Sequence, residues 1–363
     1  MVWPSTAAAS SSLVAMVSPS GRGPASSNLH CGPWRCQSYG VTSLVTGATG
    51  FLGSRAAAAL CARGDDVRVL VRPTSNRRRL AGLPVQYAEG DVTDRASVEK
   101  ALDGVEVVYH SAALYELGTA NPEYMERVNV GGTENVLAAA HERDILAVHV
   151  SSVAALGPTG TQPAVEGHWR QDMPRSPYEA TKKRAHLLAR SMAGSGARVR
   201  ISMPGSIYGP DDPSLLGTAH KFLFRGLPVA IGARLIMSFV NVDDCADGLV
   251  RVAERGRDGE EYILVSDTAT FRQWFETIAE VTGKRPPRYY IPDFITWDVG
   301  DVARRIVPGR PGRILRDAIA MSAGENWSFS GEKARRELGW EPRTLRPGMV
   351  ELRDWYAEQK VKR

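Results

Sequence analysis

The run Val41-Thr-Ser-Leu-Val-Thr46, followed at once by Gly47-Ala-Thr-Gly50-Phe-Leu-Gly53 and then by the alanine-rich residues 54 to 63, decides the fold. The first six residues read as a buried strand, and the alanine-rich run, closed by Gly64, reads as a helix. A strand feeding a glycine turn into a helix aims backbone N–H groups and the positive helix end at a pyrophosphate. Gly47 permits the tight turn, Gly50 removes a side chain where a phosphate must approach, and Gly53 lets the helix pack close to the sheet.

Outward from that turn, Val67, Val69 and Val71 alternate in a second strand. Its end lies about twenty residues on, where a chain that binds NAD usually offers a carboxylate to the ribose 2′-hydroxyl. Val71 and Arg72 stand there instead, with Arg77, Arg78 and Arg79 shortly after. A guanidinium suits a 2′-phosphate by charge and fork geometry, so Arg72 favours NADP, with NAD left open. The arginine run itself reads mainly as a solvated face.

The strand-then-turn pattern recurs. Residues 85–87 lead to Gly90-Asp91-Val92, residues 105–109 to His110-Ser111-Ala112-Ala113-Leu114, and residues 147–150 to Ser151-Ser152, with helical stretches at 96–102 and 123–141 between them. Strands alternating with helices imply an α/β chain with a Rossmann-like, doubly wound parallel sheet. Ligands bind at the carboxyl ends of such strands, where Asp91, Val92, Ser111, Ala112, Ala113 and Ser152 fall. Asp91 either contacts the adenine or caps the turn after it.

Tyr178 and Lys182, in Tyr-Glu-Ala-Thr-Lys, stand four apart on a helix opened by Ser176-Pro177, so both project from one face. Hydride transfer needs a proton donor or acceptor at the substrate oxygen. A phenol supplies it, a nearby ammonium such as Lys182 stabilises the phenolate, and the Ser152 hydroxyl holds the oxygen against the phenol.

The glycine turn, Ser152, Tyr178 and Lys182, in that order, resemble the short-chain dehydrogenase/reductase family in its extended form. The likeness runs over about residues 41 to 355 and takes in Asn129-Val-Gly-Gly-Thr133, Pro204-Gly-Ser-Ile-Tyr-Gly-Pro210, Val240-Asn-Val-Asp-Asp244 and Glu337-Leu-Gly-Trp340. It implies pyrophosphate donors at Thr49, Gly50, Phe51 and Leu52, a nicotinamide-side loop from Pro204, a ribose contact from Lys182, and an active-site asparagine at Asn129. Residues 41–210 are then the cofactor-binding domain. Residues 211–363 form mainly a smaller C-terminal substrate lobe, with segments near 236–266 returning to the first domain. Phe222, Phe224, Tyr289, Tyr290, Phe294 and Trp297 are candidates for an apolar pocket there.

Within the family, the chain is similar to the dihydroflavonol reductase and plant farnesol dehydrogenase groups, and to hopanoid-associated sugar epimerases. Nucleotide-sugar epimerases commonly carry an arginine two residues before the aromatic of Phe239-Val-Asn-Val-Asp243, and Met237 occupies that place, with Arg234 nearby. A thioether cannot bind a diphosphate. The expected activity is therefore an NAD(P)-dependent alcohol dehydrogenase or carbonyl reductase acting on a hydrophobic small molecule, with an epimerase as the alternative. A non-catalytic NADP-binding scaffold is the remote one, since Ser152, Tyr178 and Lys182 are all retained.

Composition narrows the partners. Forty-five Lys plus Arg against forty Asp plus Glu leave a net charge of +5, too little to argue for nucleic acid without a basic stripe. No stretch approaches the roughly 18 to 20 apolar residues of a membrane span. The four cysteines, Cys31, Cys36, Cys61 and Cys245, are too scattered for a zinc site. A homodimer is left open. Residues 1–40 contain no Asp or Glu and are rich in serine, so they are expected to be disordered and to resemble an organelle transit peptide, with a plastid favoured over mitochondrion or cytoplasm.

Overall fold

The computed structural model describes residues 41–115, 121–170, 173–226, 229–291 and 325–361. The leader lies outside them.

The chain runs β1 (Thr42–Thr46), α1 (Phe51–Arg63), β2 (Asp66–Val71), β3 (Val85–Glu89), α2 (Arg95–Ala101), β4 (Val107–His110), α3 (Pro122–Glu126), α4 (Gly132–His141), β5 (Leu146–Val150), α5 (Pro177–Gly194) and β6 (Val199–Pro204). It continues through β7 (Ser206–Tyr208), α6 (Leu215–Leu223), β8 (Val229–Ile231), β9 (Ile236–Asn241), α7 (Val242–Arg255), β10 (Glu261–Leu264), β11 (Asp267–Thr270), α8 (Phe271–Thr282), β12 (Tyr289–Ile291), α9 (Glu332–Leu338) and α10 (Leu345–Val361). The run expected as one helix over 123–141 is α3 and α4 joined by a π-turn at Arg127–Gly131.

Seven parallel strands form one sheet in the order β10-β6-β5-β4-β1-β2-β3. Strand order reverses between β1 and β4, which opens the crevice where doubly wound sheets bind ligands. The strands are apolar on both faces because helices cover both. On one side Val98, Leu137 and Ala189 pack from α2, α4 and α5. On the other Ala56, Leu60, Leu249 and Val252 pack from α1 and α7.

Local chemistry sets the helix ends. Ser176 accepts the Glu179 amide at 3.2 Å and Pro177 fills the first turn, which fixes where α5 begins and so where Tyr178 and Lys182 stand. Gly64, at φ 92°, closes α1 in the left-handed conformation that favours glycine.

Of the segment 236–266, α7 packs on α1 and β10 pairs with β6 in the large sheet. β9 does not join that sheet. It lies between β7 and β11 in a three-stranded sheet, and β8 pairs with β12. A third core gathers there, with Tyr208, Phe239, Trp274, Phe275 and Ile278 packed on Leu345, Met349 and Leu352 of α10.

The segment after residue 325 threads back through these layers. Trp327 bridges to Met237, Phe329 to Ala164, and the fully buried Trp340 donates its indole N–H to the Asp244 carbonyl at 2.9 Å. Truncating Trp340 to Ala removes both the packing and the donor. Urea titration should show a loss of about 3–5 kcal/mol with little change in slope.

Candidate functional site

Gly47 has φ 71°, and a Cβ there would sit 2.7 Å from the Ala112 backbone. A Cβ on Gly53 would come within 2.3 Å of the Gly47 carbonyl oxygen. Only glycine fits either place. Gly50 is extended and gives α1 no side-chain cap, and the first turn of α1 carries no acidic residue. Its amides are therefore left to an anion, as a pyrophosphate cradle requires.

The turn opens onto a cavity of about 1090 Å³. Of the residues singled out by sequence, Gly47, Thr49, Gly50, Phe51, Leu52, Gly53, Arg72, Asp91, Val92, Ser111, Ala112, Ala113, Ser152, Tyr178, Lys182 and Pro204 all line it. Asn129 does not. It is 2% exposed, its Oδ1 accepts the Leu114 amide at 2.6 Å, and its Nδ2 donates to the Leu114 carbonyl and to Thr181 Oγ1. Every polar atom of that amide is engaged within the protein itself. It ties the loop after β4 to α5 beside Lys182.

Asp91 both lines the cavity and caps a turn, its Oδ1 accepting the Thr93 amide and hydroxyl, each at 2.9 Å. Arg72 donates to the Tyr124 hydroxyl at 3.1 Å, and its own amide donates to Ser75 Oγ at 3.2 Å. Tyr124 and Ser75 also line the cavity. The neighbouring arginines are occupied elsewhere: Arg77 lies over the Tyr87 ring, and Arg78 and Arg79 pair with Asp211.

At the reacting end, the Lys182 Nζ donates to the Val150 carbonyl at 2.9 Å, and burial pulls its pKa down to about 8. Burial and then the neighbouring Tyr115 push the Tyr178 phenol well above the usual range, and a hydrogen bond with Ser152 opposes them. The lowering of that phenol expected from Lys182 does not enter this balance, the ammonium being held at the Val150 carbonyl.

Two residues at this end were missed by sequence. Tyr115 meets Tyr178 edge-on at 4.8 Å between ring centroids, and Asp212 lines the same cavity. Tyr115 directly continues the turn after β4, which was a usable signal. Asp212 gave none beyond a Pro-Asp-Asp-Pro loop.

Much of the rest of the cavity wall is apolar, with Ile207, Leu215, Leu216, Phe222, Met237, Trp274 and Phe275, interrupted by Ser206, Ser214 and Ser238. Among the described lining residues the cations are Arg72 and Lys182 alone, and Arg234 is not one of them. Phe224 packs on Tyr356 instead, Tyr290 stacks on Phe275, and Tyr289 is exposed. Phe294 and Trp297 lie outside the described residues.

Residues 43–265 match the NAD dependent epimerase/dehydratase family. The chain is similar to sterol demethylase protein B of Methylococcus capsulatus, at 33% identity over 88% of this chain and 99% of that one. It is also similar to the 4-hydroxy-2-methyl-3-oxo-4-farnesyl-3,4-dihydroquinoline-1-oxide ketoreductase of Stigmatella aurantiaca, at 31% identity over 86% and 96%. The crystal structure of gox2253 superposes with a TM-score of 0.77, at 33% identity over 88% of this chain and 98% of that chain.

Lys182 carries a measurable signature. Its ammonium persists to about pH 8 in the fold and to about 10.5 in the unfolded chain, so between these values the unfolded state holds the extra proton and native stability rises with pH. Lys182→Met has no such titration. Urea midpoints at pH 7 and pH 10.5 should show the wild type gaining about 3 kcal/mol relative to the variant across that window.

Proposed function

The chain belongs to the NAD dependent epimerase/dehydratase family, and we propose that within it this protein is an NADP-dependent reductase of a hydrophobic carbonyl, or the dehydrogenase of the corresponding alcohol. The observation that carries this reading is the cavity wall: largely apolar and aromatic side chains, with Met237 among them and, among the described residues, no cation beyond Arg72 and Lys182. A nucleotide-sugar diphosphate entering there would lose its hydration without a charged partner among the described residues at the reacting end other than Lys182.

The residues present fit a nicotinamide dinucleotide. The Gly47 to Gly53 turn would take its pyrophosphate, Arg72 with Ser75 its 2′-phosphate, and Lys182 its nicotinamide ribose; when bound, it supplies or accepts the hydride. Reduction of a carbonyl also consumes one proton, and Tyr178 holds one where burial keeps it bound. Tyr178 donates to the substrate oxygen, while the Ser152 hydroxyl hydrogen-bonds the same oxygen and so fixes its position. Lys182 holds its ammonium at the Val150 carbonyl, where it favours the phenolate left behind. In the oxidative direction the same groups act in reverse. Epimerisation of a nucleotide sugar is the second reading, which the family name itself supports.

A panel of terpenoid alcohols, flavonoid ketones and nucleotide sugars, followed at the reduced-nicotinamide absorbance band, tests the assignment. Net turnover on an apolar member is expected, whereas isomerisation of a nucleotide sugar without net cofactor change would favour the second reading. Tyr178→Phe keeps the ring against Tyr115 and removes the proton carrier, so kcat should fall by about 10² to 10⁴.

Cofactor choice is tested separately. Arg72→Asp replaces a cation by a carboxylate that repels a 2′-phosphate, so the ratio of NADPH to NADH affinity should fall by about tenfold to a hundredfold in fluorescence titration. An unchanged ratio would remove Arg72 from the cofactor site.

A further inference from the structure

The ring set against Tyr178 takes no part in the chemistry above. Tyr115 is 48% exposed, so burial does not account for where it stands. Its place is fixed by the main chain beside it: the Leu114 amide donates to Asn129 Oδ1 at 2.6 Å, and the Leu114 carbonyl accepts from Asn129 Nδ2 at 3.1 Å. The same Nδ2 donates to Thr181 Oγ1 at 3.0 Å, and that hydroxyl donates in turn to the Tyr178 carbonyl, also at 3.0 Å. Tyr115 then returns to residue 178 through the two rings, whose centroids are 4.8 Å apart and whose planes are inclined at 80°. A circuit of contacts that starts at the main chain of Tyr178 thus closes on its side chain.

Without that closure the phenol is only half fixed. The Ser176-Pro177 start of α5 sets the backbone of Tyr178, but the ring can still turn about its side-chain bonds. Ser152 is hydrogen-bonded to the phenol. A hydroxyl has one proton to give, however, and in the proposed reaction Ser152 uses it at the substrate oxygen. An edge-on aromatic contact restrains a ring without occupying any hydrogen-bonding group. We infer that Tyr115 is a positioning residue: its ring holds the Tyr178 phenol in line with the substrate oxygen while Ser152 is engaged there. This rests on the carbonyl-reductase reading and deepens it. The contact is made by the ring, so phenylalanine serves in place of Tyr115 and an aliphatic side chain does not.

Two measurements on the full chain test this. In the first, isotopically labelled tyrosine rings are followed by NMR with NADP⁺ bound, the Tyr178 signals being assigned by their absence from Tyr178→Phe. The flip rate of the Tyr178 ring should rise about tenfold in Tyr115→Leu and stay within about twofold of wild type in Tyr115→Phe. In the second, the reduction of camphorquinone, an activated apolar diketone, by NADPH is followed. Tyr115→Leu should lose about tenfold in kcat with the KM for NADPH within about twofold of wild type, and Tyr115→Phe should restore kcat. An unchanged flip rate in Tyr115→Leu would overturn the assignment. So would a Tyr115→Phe variant as slow as Tyr115→Leu, or a loss confined to the KM for the ketone, which would make Tyr115 a wall residue only. If wild type reduces neither camphorquinone nor any other ketone, the reductase reading fails, while the flip rates still decide whether Tyr115 holds the ring.

Discussion

A Cβ at residue 53 would lie 2.3 Å from the carbonyl oxygen of residue 47, closer than any side chain permits, and a Cβ at residue 47 would lie 2.7 Å from the Ala112 backbone. Those two approaches clamp three things together: the end of β1, the start of α1 and the loop after β4. Thr46 adds a polar tie, its Oγ1 2.8 Å from His110 Nδ1 and accepting the Ala112 amide at 3.3 Å. The crevice between β1 and β4 is where strand order reverses, and its width is set here. Everything that lines the cavity, from Arg72 to Tyr178, is referenced to that clamp. A methyl group at either glycine would have to push apart main chain, which has no rotamer to yield.

At the other end, desolvation outweighs ion pairing in setting the state of the proposed catalytic groups. Tyr178 is half-buried and Lys182 is buried, and desolvation is the largest influence on each, raising the phenol and lowering the ammonium. Asn129 and the Val150 carbonyl act as fixtures: they hold the loop and the lysine so that the hydrogen-bond geometry is set by the scaffold.

What could be read from the sequence was whatever is encoded within a few residues. The glycine turn, the valine alternation of β2, the Ser-Pro start of α5 and the four-residue spacing of Tyr178 and Lys182 are local, and each appears where expected. The parts that escaped are non-local. β9 looks like any strand after a loop, and only its pairing with β7 and β11 places it in the small sheet. Asn129 sits in a recognisable motif, yet its engagement with Leu114 and Thr181 depends on the π-turn that rotates it. Tyr115 and Asp212 come together across a sequence separation of nearly a hundred residues, which no window captures. The aromatics of the second lobe divide between wall and packing for the same reason: Phe222 and Phe224 are two apart on one helix end, and only one faces the cavity.

The return of the chain after residue 325 has a consequence for how this protein comes into being. That single segment supplies Trp327 and Phe329 to the core on one face of the large sheet, Leu338 and Trp340 to the core on the other, and Leu345, Met349 and Leu352 to the core of the small lobe. A nascent chain that has not yet reached residue 352 would therefore carry three incomplete hydrophobic surfaces. Secondary structure and the parallel sheet can form before that, but the final packing of all three cores waits for one segment. Until it arrives, the nascent chain offers apolar surface to chaperones or to other nascent chains.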